Sequence, residues 1–217
     1  MDIKLVSQVK LFETLKKLNI HTGDIVFLSS DKLNQDHISQ NLYLIESLIN
    51  YLGSEGSLIM DLSGSNFNVI AKASQNKLLA NQALRDLMPG FSKDTLAFYA
   101  KDDLAKTLLL KKDVVISNSH SYPYLGFGKY AQLICQSQSL DFPNGFMSPL
   151  SRLYELRAKA LMINTDLSDF AINRYVFETS FNSSIIVNGG AISKNQKISW
   201  KKFLEKPVDK NKIKKVY

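Results

Sequence analysis

The order of the hydrophobic patterns over roughly the first sixty residues constrains this chain more than any other feature. Val9, Phe12, Leu15 and Leu18 recur at helical spacing, which predicts a helix over 7–19. A Thr-Gly turn leads into DIVFLSS (24–30), a β-rich run that reads as a buried strand. NLYLIESLINYLG (41–53) returns to the helical period and is stopped by Gly53. GSLIMDLS (56–63) is a second strand-like run. Helix, strand, helix, strand with short joins predicts an α/β domain with a mainly parallel sheet.

The rest of the chain continues the alternation. Residues 64–94 contain helix formers and end in a Pro-Gly turn; TLAFYAKDDLAKTLLLK (95–111) reads as a helix and DVVIS (113–117) as a strand. SNSHSYPYLGFG reads as a loop leading into a helix over KYAQLICQSQ. Ser148 is a natural N-cap for the next helix, with Pro149 at its first position. ALMIN (160–164) is strand-like, LSDFAINRYVFETSF is helical, and SIIVNGGAISKNQKISW reads as a hairpin turning at Asn188-Gly189.

Charge divides the chain near its end. The net charge is +7, yet residues 194–217 hold nine lysines against Glu205 and Asp209, leaving 18 basic and 18 acidic side chains in residues 1–193. The expectation is one domain over 1–193 and a lysine-rich tail over 194–217. Such a tail is either a solvated terminus or a contact for an anionic partner, and the neutral body argues against a nucleic-acid binder. Cys135 is the single cysteine and sits on an apolar helical stripe, so it reads as core and forms no internal disulfide. No signal-peptide pattern and no apolar run of the ~20 residues that span a bilayer is present, so the cytoplasm is the expected compartment.

No GxGxxG, GxxxxGKS/T, CxxC or HExxH motif occurs, and the three histidines are far apart, so no metal is expected. The loops after strands are where ligands gather in open parallel sheets. They carry Ser29-Ser30-Asp31, Asp61 to Ser65, Ser117 to Ser121 with His120, and Asn164 to Asp169. His120 is a candidate general base there, since a neutral imidazole accepts a proton near pH 7. The alternative is a loop histidine that caps backbone groups. Glu178 is the candidate carboxylate. It shares a helix face with Arg174 and Tyr175, and an Arg174–Glu178 pair on a solvated surface is the plainer reading.

Six stretches in order resemble the aminoglycoside 3-N-acetyltransferase family. LNIHTGDIVFLSS is similar to its TGD–strand–HSS segment and LGSEGSLIMDLS to GPEGTLVMPTF. PGFSKDT is similar to the FDPxxT region and VVISNSHSYPYLGFGKYA to RSxHPxxSxxAxGxxA. NGFMSPLSRLYELRAKALMI is similar to GxGSPLxxLxxxxGKVLLLG and AINRYVFE to TxLHxxE. The likeness covers about residues 12 to 190. Three positions depart from it. Leu28 stands where the HSS histidine is expected, and Tyr175 where the LHxxE histidine is expected. An ungapped match places Ser119 on the HP histidine, and a one-residue shift restores that position to His120.

The resemblance implies a three-layer α/β/α sandwich with a mainly parallel central sheet and a C-terminal hairpin. It implies an acetyl-CoA-dependent N-acetyltransferase acting on a primary amine of an amino sugar or aminoglycoside-like small molecule. His120 would be the base, Glu178 its partner or an amine anchor, and Tyr175 either a hydrogen-bond contact for the acceptor or a packing residue. Ser29, Ser30, Asp31 and Thr95 would hold acetyl-CoA, with pyrophosphate near backbone N–H groups and helix N-termini. The departures favour a second reading, a degenerate member serving as a ligand-binding or subunit-interaction module. A homo-oligomer is compatible with either.

Overall fold

β1 (Ile25–Ser30) and β2 (Ser57–Asp61) pair in parallel, with Val26 beside Leu58. β5 (Lys159–Ile163) joins the other edge of β1, also in parallel. β4 (Tyr124–Gly128) runs antiparallel to β2, and β3 (Val115–Ile116) antiparallel to β4. The sheet order is β3-β4-β2-β1-β5. Only β4 is therefore reversed, and the expected mainly parallel direction holds for the other strands of this sheet. The computed structural model describes residues 7–30, 38–62, 90–92, 95–96, 103–180, 182, 184–194 and 197–213.

β4 is the strand that the sequence reading gave to a loop. Its glycines lower β propensity, and both answer to packing. A Cβ on Gly126 would stand 2.9 Å from the Cys135 sulfur, and Gly128 has φ of +101°. DVVIS shrinks to the two residues of β3.

Helices cover both faces. α1 (Gln8–Lys17) packs Phe12 on Tyr51 of α2 (Ile38–Leu52), ring centroids 4.9 Å apart. α3 (Asp103–Leu109) lies beside α2. The helix expected over 95–111 is described from Asp103 onward, and residues 97–102 lie outside the described set. Lys111, just past α3, reaches over the Phe127 ring, while neighbouring Gly126 faces α4 (Ala131–Cys135). Successive strand residues point to opposite faces. So α2 and α3 cover one face and α4 the other. α4 contacts α5 (Pro149–Glu155), which in turn contacts α6 (Ile172–Ser180). The single helix expected over 167–181 begins instead as a 3-10 turn, Leu167–Asp169, because Asp166 accepts the Ser168 N–H at 2.8 Å.

A second sheet is the hairpin β6 (Ile186–Lys194) and β7 (Lys197–Glu205). The turn does not fall at Asn188-Gly189. Those residues sit inside β6 opposite Phe203 and Lys202, where Asn188 donates to Glu205 and glycine admits the Trp200 ring. The segment from 194 on, read as a tail, carries β7 and α7 (Lys210–Ile213), with Phe203 and Ile213 buried. Counting lysines hid this. In β7 the buried side chains are Phe203 and Glu205, near its end, while Lys197 and Lys202 stay exposed and Lys201 is half-buried.

The core between the layers is aliphatic and aromatic, centred on Leu28, Ile45, Leu48, Leu58, Ile59 and Tyr124. Burying each such side chain stabilises the fold by about 1.5–3 kcal/mol. Cys135 belongs to this core, and burial pushes its thiol up to about 12. Among the described residues no helix is long and apolar enough to cross a membrane, and no cluster of His, Cys, Asp or Glu could hold a metal ion.

Candidate active site

The carboxyl ends of β1, β2 and β5 lie side by side. Ser29 and Ser30 end β1, buried beside Met162 and Ile163. Asp61 ends β2 opposite Tyr124. Leu28 is core. Asp31 lies outside the described residues.

α6 sends Arg174 into this rim. Its guanidinium pairs with Asp61, donates to the Tyr124 hydroxyl at 3.3 Å, and stacks 4.5 Å from the centre of the Tyr122 ring. The surface pair with Glu178 is not made; the helix rotates Arg174 inward, where a buried carboxylate and two aromatic rings compensate its desolvation. Burial alone would lower its pKa, but Asp61 and the two tyrosines outweigh that and raise it. Tyr122 donates its hydroxyl to Glu205, which also accepts from Asn188 at 3.1 Å. Burial first, then the Glu205 charge, holds the Tyr122 phenol well above its ordinary range, so it stays a neutral donor. A buried polar chain thus runs from β2 through α6 to the hairpin. The sequence reading missed it because Glu205 sits in the segment assigned to a tail, and because helical spacing alone favoured Glu178 as the partner of Arg174.

His120 lies one step behind this chain. It is 1% exposed and meets the Phe203 ring edge-on, centroids 5.6 Å apart. The Lys201 backbone lies close enough to bear on the ring's pKa, but among the described residues no group meets either ring nitrogen in full hydrogen-bond geometry. Burial pushes its pKa down to about 4, so the imidazole is neutral at pH 7. The alternative role considered for it, capping loop backbone, is filled by Ser119, which accepts the N–H groups of Ser121 and Tyr122 at 3.3 and 3.2 Å.

Glu178 is not brought to His120. It lines a separate cleft of about 400 Å³ with Phe142, Phe146, Met147, Ile185 and Lys206. One carboxylate oxygen accepts the Lys206 backbone N–H at 3.1 Å, and the Lys206 ammonium donates to the Glu178 backbone carbonyl at 2.9 Å. Tyr175 is buried behind the cleft wall, its ring against Phe146 and Tyr154. Gln138 fixes the loop over the cleft by donating to the carbonyls of Tyr122 and Pro143. Thr95 stands apart. Its hydroxyl closes its own loop by donating to the Gly90 carbonyl at 2.8 Å, and that loop docks on β6 through Phe91.

A model of the aminoglycoside 3-N-acetyltransferase family matches residues 30–217. The SPbeta prophage-derived aminoglycoside N(3')-acetyltransferase-like protein YokD of Bacillus subtilis (strain 168) is 24% identical over 204 residues, spanning 89% of this chain and 72% of that one. The crystal structure of YokD from Bacillus subtilis gives a TM-score of 0.76 at 20% identity, over 96% of this chain and 85% of that one. AAC-IIIb, solved as a binary complex with CoASH, gives 0.75 at 16% identity, over 94% and 78%. AAC-VIa bound to sisomicin gives 0.75 at 15%, over 93% and 76%. At these identities the solved structures bear on the fold.

Proposed function

The chain belongs to the aminoglycoside 3-N-acetyltransferase family, and on that premise we propose that it moves an acetyl group from acetyl-CoA to a primary amine of an amino sugar or aminoglycoside-like small molecule. The observation that carries this reading is the family match, which runs over 30–217 and so spans the β1 end, His120, Glu178 and the hairpin. The CoASH bound by one structural relative and the sisomicin bound by another support the two substrate classes.

In the proposed reaction the neutral amine attacks the thioester carbonyl, a C–N bond forms, the C–S bond breaks, and the proton that the attacking nitrogen gives up goes to the CoA sulfur, which leaves as the thiol. The acceptor arrives as an ammonium and must first lose one proton. His120 is proposed as the group that takes it. Its two nitrogens are buried and unpartnered, and leaving a buried polar group unpaired costs about 1–3 kcal/mol unless a ligand answers it. Glu178 is proposed as the anchor for the ammonium, since its carboxylate opens on the cleft. Ser29, Ser30 and Thr95 are proposed for the acetyl-CoA side, the two serines because they end β1 on the sheet's ligand-binding rim. Tyr175 backs Phe146 and is proposed to hold that wall in place.

One observation favours a second reading. His120 and Glu178 are not in contact, which suits a family member that holds ligands without transferring acetyl. Thiol release from acetyl-CoA in the presence of amines separates the two. Release that needs an amine and falls at least a hundredfold in His120→Ala supports transfer. Acetyl-CoA binding without release, across amino sugars and aminoglycosides, supports the holding module.

A further inference from the structure

Two loops that carry proposed reaction residues meet at one buried amide. The first is the turn 119–122, which holds His120. Ser119 accepts the Ser121 and Tyr122 N–H groups, so the turn is closed from inside. The second is the segment 139–147, which brings Phe142, Phe146 and Met147 to the Glu178 cleft. It too is closed on itself. The Ser139 N–H donates to the Met147 carbonyl at 2.9 Å, and the Phe142 N–H donates to the Ser139 hydroxyl at 3.1 Å.

Gln138 joins the two. It is 4% exposed, and its amide nitrogen donates to the Tyr122 carbonyl at 3.0 Å and to the Pro143 carbonyl at 2.8 Å. The two N–H bonds of one planar amide point in fixed directions, so the two carbonyls keep a fixed relation. Each carbonyl is also held within its own loop. Tyr122 is fixed by Ser119 on its N–H and by Glu205 on its hydroxyl. Pro143 lies inside the turn that the Gly145 N–H closes on the Phe142 carbonyl at 3.2 Å. A displacement of the cleft segment therefore reaches the His120 turn through Gln138. Another tie, from the Leu204 N–H to the Asp141 carbonyl at 2.7 Å, leads to β7 instead.

We propose that Gln138 is a positioning residue, which couples the cleft segment 139–147 to the turn that carries His120, so that an amine seated against Phe142 and Phe146 sets where the imidazole stands. The coupling itself does not depend on acetyl transfer; its consequence for turnover rests on the acyl-transfer reading.

A double-mutant cycle measures such coupling directly. Gln138→Leu keeps a side chain of similar size and removes both donors. Phe142→Ala perturbs the cleft segment. With the three histidines isotope-labelled, nuclear magnetic resonance identifies the His120 ring signal by its loss in His120→Ala. Phe142→Ala should move that signal in the wild-type background and leave it in place in the Gln138→Leu background. A signal indifferent to Phe142→Ala overturns the proposal. So does an equal displacement in both backgrounds, which would assign the coupling to the Leu204 tie.

Turnover supplies a readout that a purely structural role would not move. In thiol release from acetyl-CoA with sisomicin, Gln138→Leu should lower kcat roughly tenfold or more while KM for sisomicin stays within about threefold. A raised KM with kcat unchanged overturns the proposal. Should Gln138→Leu lose its cooperative melt, Gln138→Glu keeps the shape and exchanges the donors for an acceptor. Loss of the melt in both variants makes Gln138 structural and overturns the proposal. Absence of thiol release by the wild type with every amine removes acyl transfer, and the resonance cycle then decides the coupling by itself.

Discussion

Arg174 shows how a side chain assigned to the surface becomes the centre of a buried network. Its guanidinium is held by Asp61, the Tyr124 hydroxyl and the Tyr122 ring. Removing one member of a buried pair leaves an uncompensated charge and costs about 3–5 kcal/mol, far above a surface pair. Arg174→Met should lower stability by about that amount, read from the urea midpoint, and adding Asp61→Asn should recover part of it. A loss near zero would return Arg174 to the surface. His120 offers a second reading at this scale. Its folded pKa of about 4 lies below the 6.5 of the open chain, so the unfolded state binds more protons between those values. The neutral buried form is then favoured fully above pH 6.5, and its stabilisation is lost as pH falls through 4, by roughly 3 kcal/mol in all. His120→Leu should flatten the fall in stability between pH 6.5 and 4 relative to the wild type, followed by urea unfolding at stepped pH. Equal slopes in both proteins would show the ring to be solvated.

At the scale of elements, local chemistry was legible where one residue decides the outcome. Ser148 accepts the Ser151 N–H at 3.2 Å and Pro149 opens α5, as the sequence predicts. Ser148→Ala should cost about 1 kcal/mol and lower Tm by roughly 2–4 °C in a chain of this size, measured by calorimetry. An unchanged Tm would mean that packing alone holds the helix. β1 and β2 were legible for a related reason, since continuous apolar runs such as IVFL mark strands buried on both faces, while half-buried β5 at the sheet edge was marked by its short apolar run alone. β4 was not, because Gly126 exists to let α4 approach and says nothing about strand formation by itself. The hairpin was legible as a hairpin and misplaced as a turn. Asn188-Gly189 is a strong turn signal, overridden here by an Asn188–Glu205 hydrogen bond across the strands and by the Trp200 ring over Gly189. Of the buried chain at the site, the Asp61–Arg174 pair and the Tyr122–Glu205 hydrogen bond were not visible, because they join β2 to α6 and the loop before β4 to β7, at sequence distances that periodicity does not reach.

The whole molecule turns on whether the last twenty-four residues are an appendage, as their charge implies, or a structural part. Charge composition averages over the side chains that point inward. Phe203 packs on His120 and Tyr122, Glu205 receives Tyr122 and Asn188, and Lys206 meets Glu178. Asp141 and Asp169 on the body pair with Lys201 and Lys210. The hairpin therefore closes the buried chain that begins at Asp61, and it supplies one wall of the cleft. Deleting residues 194–217 should leave Tyr122, Asn188 and the unpaired edge of β6 open to water, and abolish cooperative thermal unfolding. Phe203→Ala alone should cost about 3–5 kcal/mol. Acetyl-CoA binding and the melting curve of the shortened chain decide the matter together. A shortened chain that still melts cooperatively within a few degrees of the full one would make the body an independent domain and the hairpin an ornament on it. Loss of both would make the segment with the greatest positive charge a structural part of the domain, without which the rest does not fold.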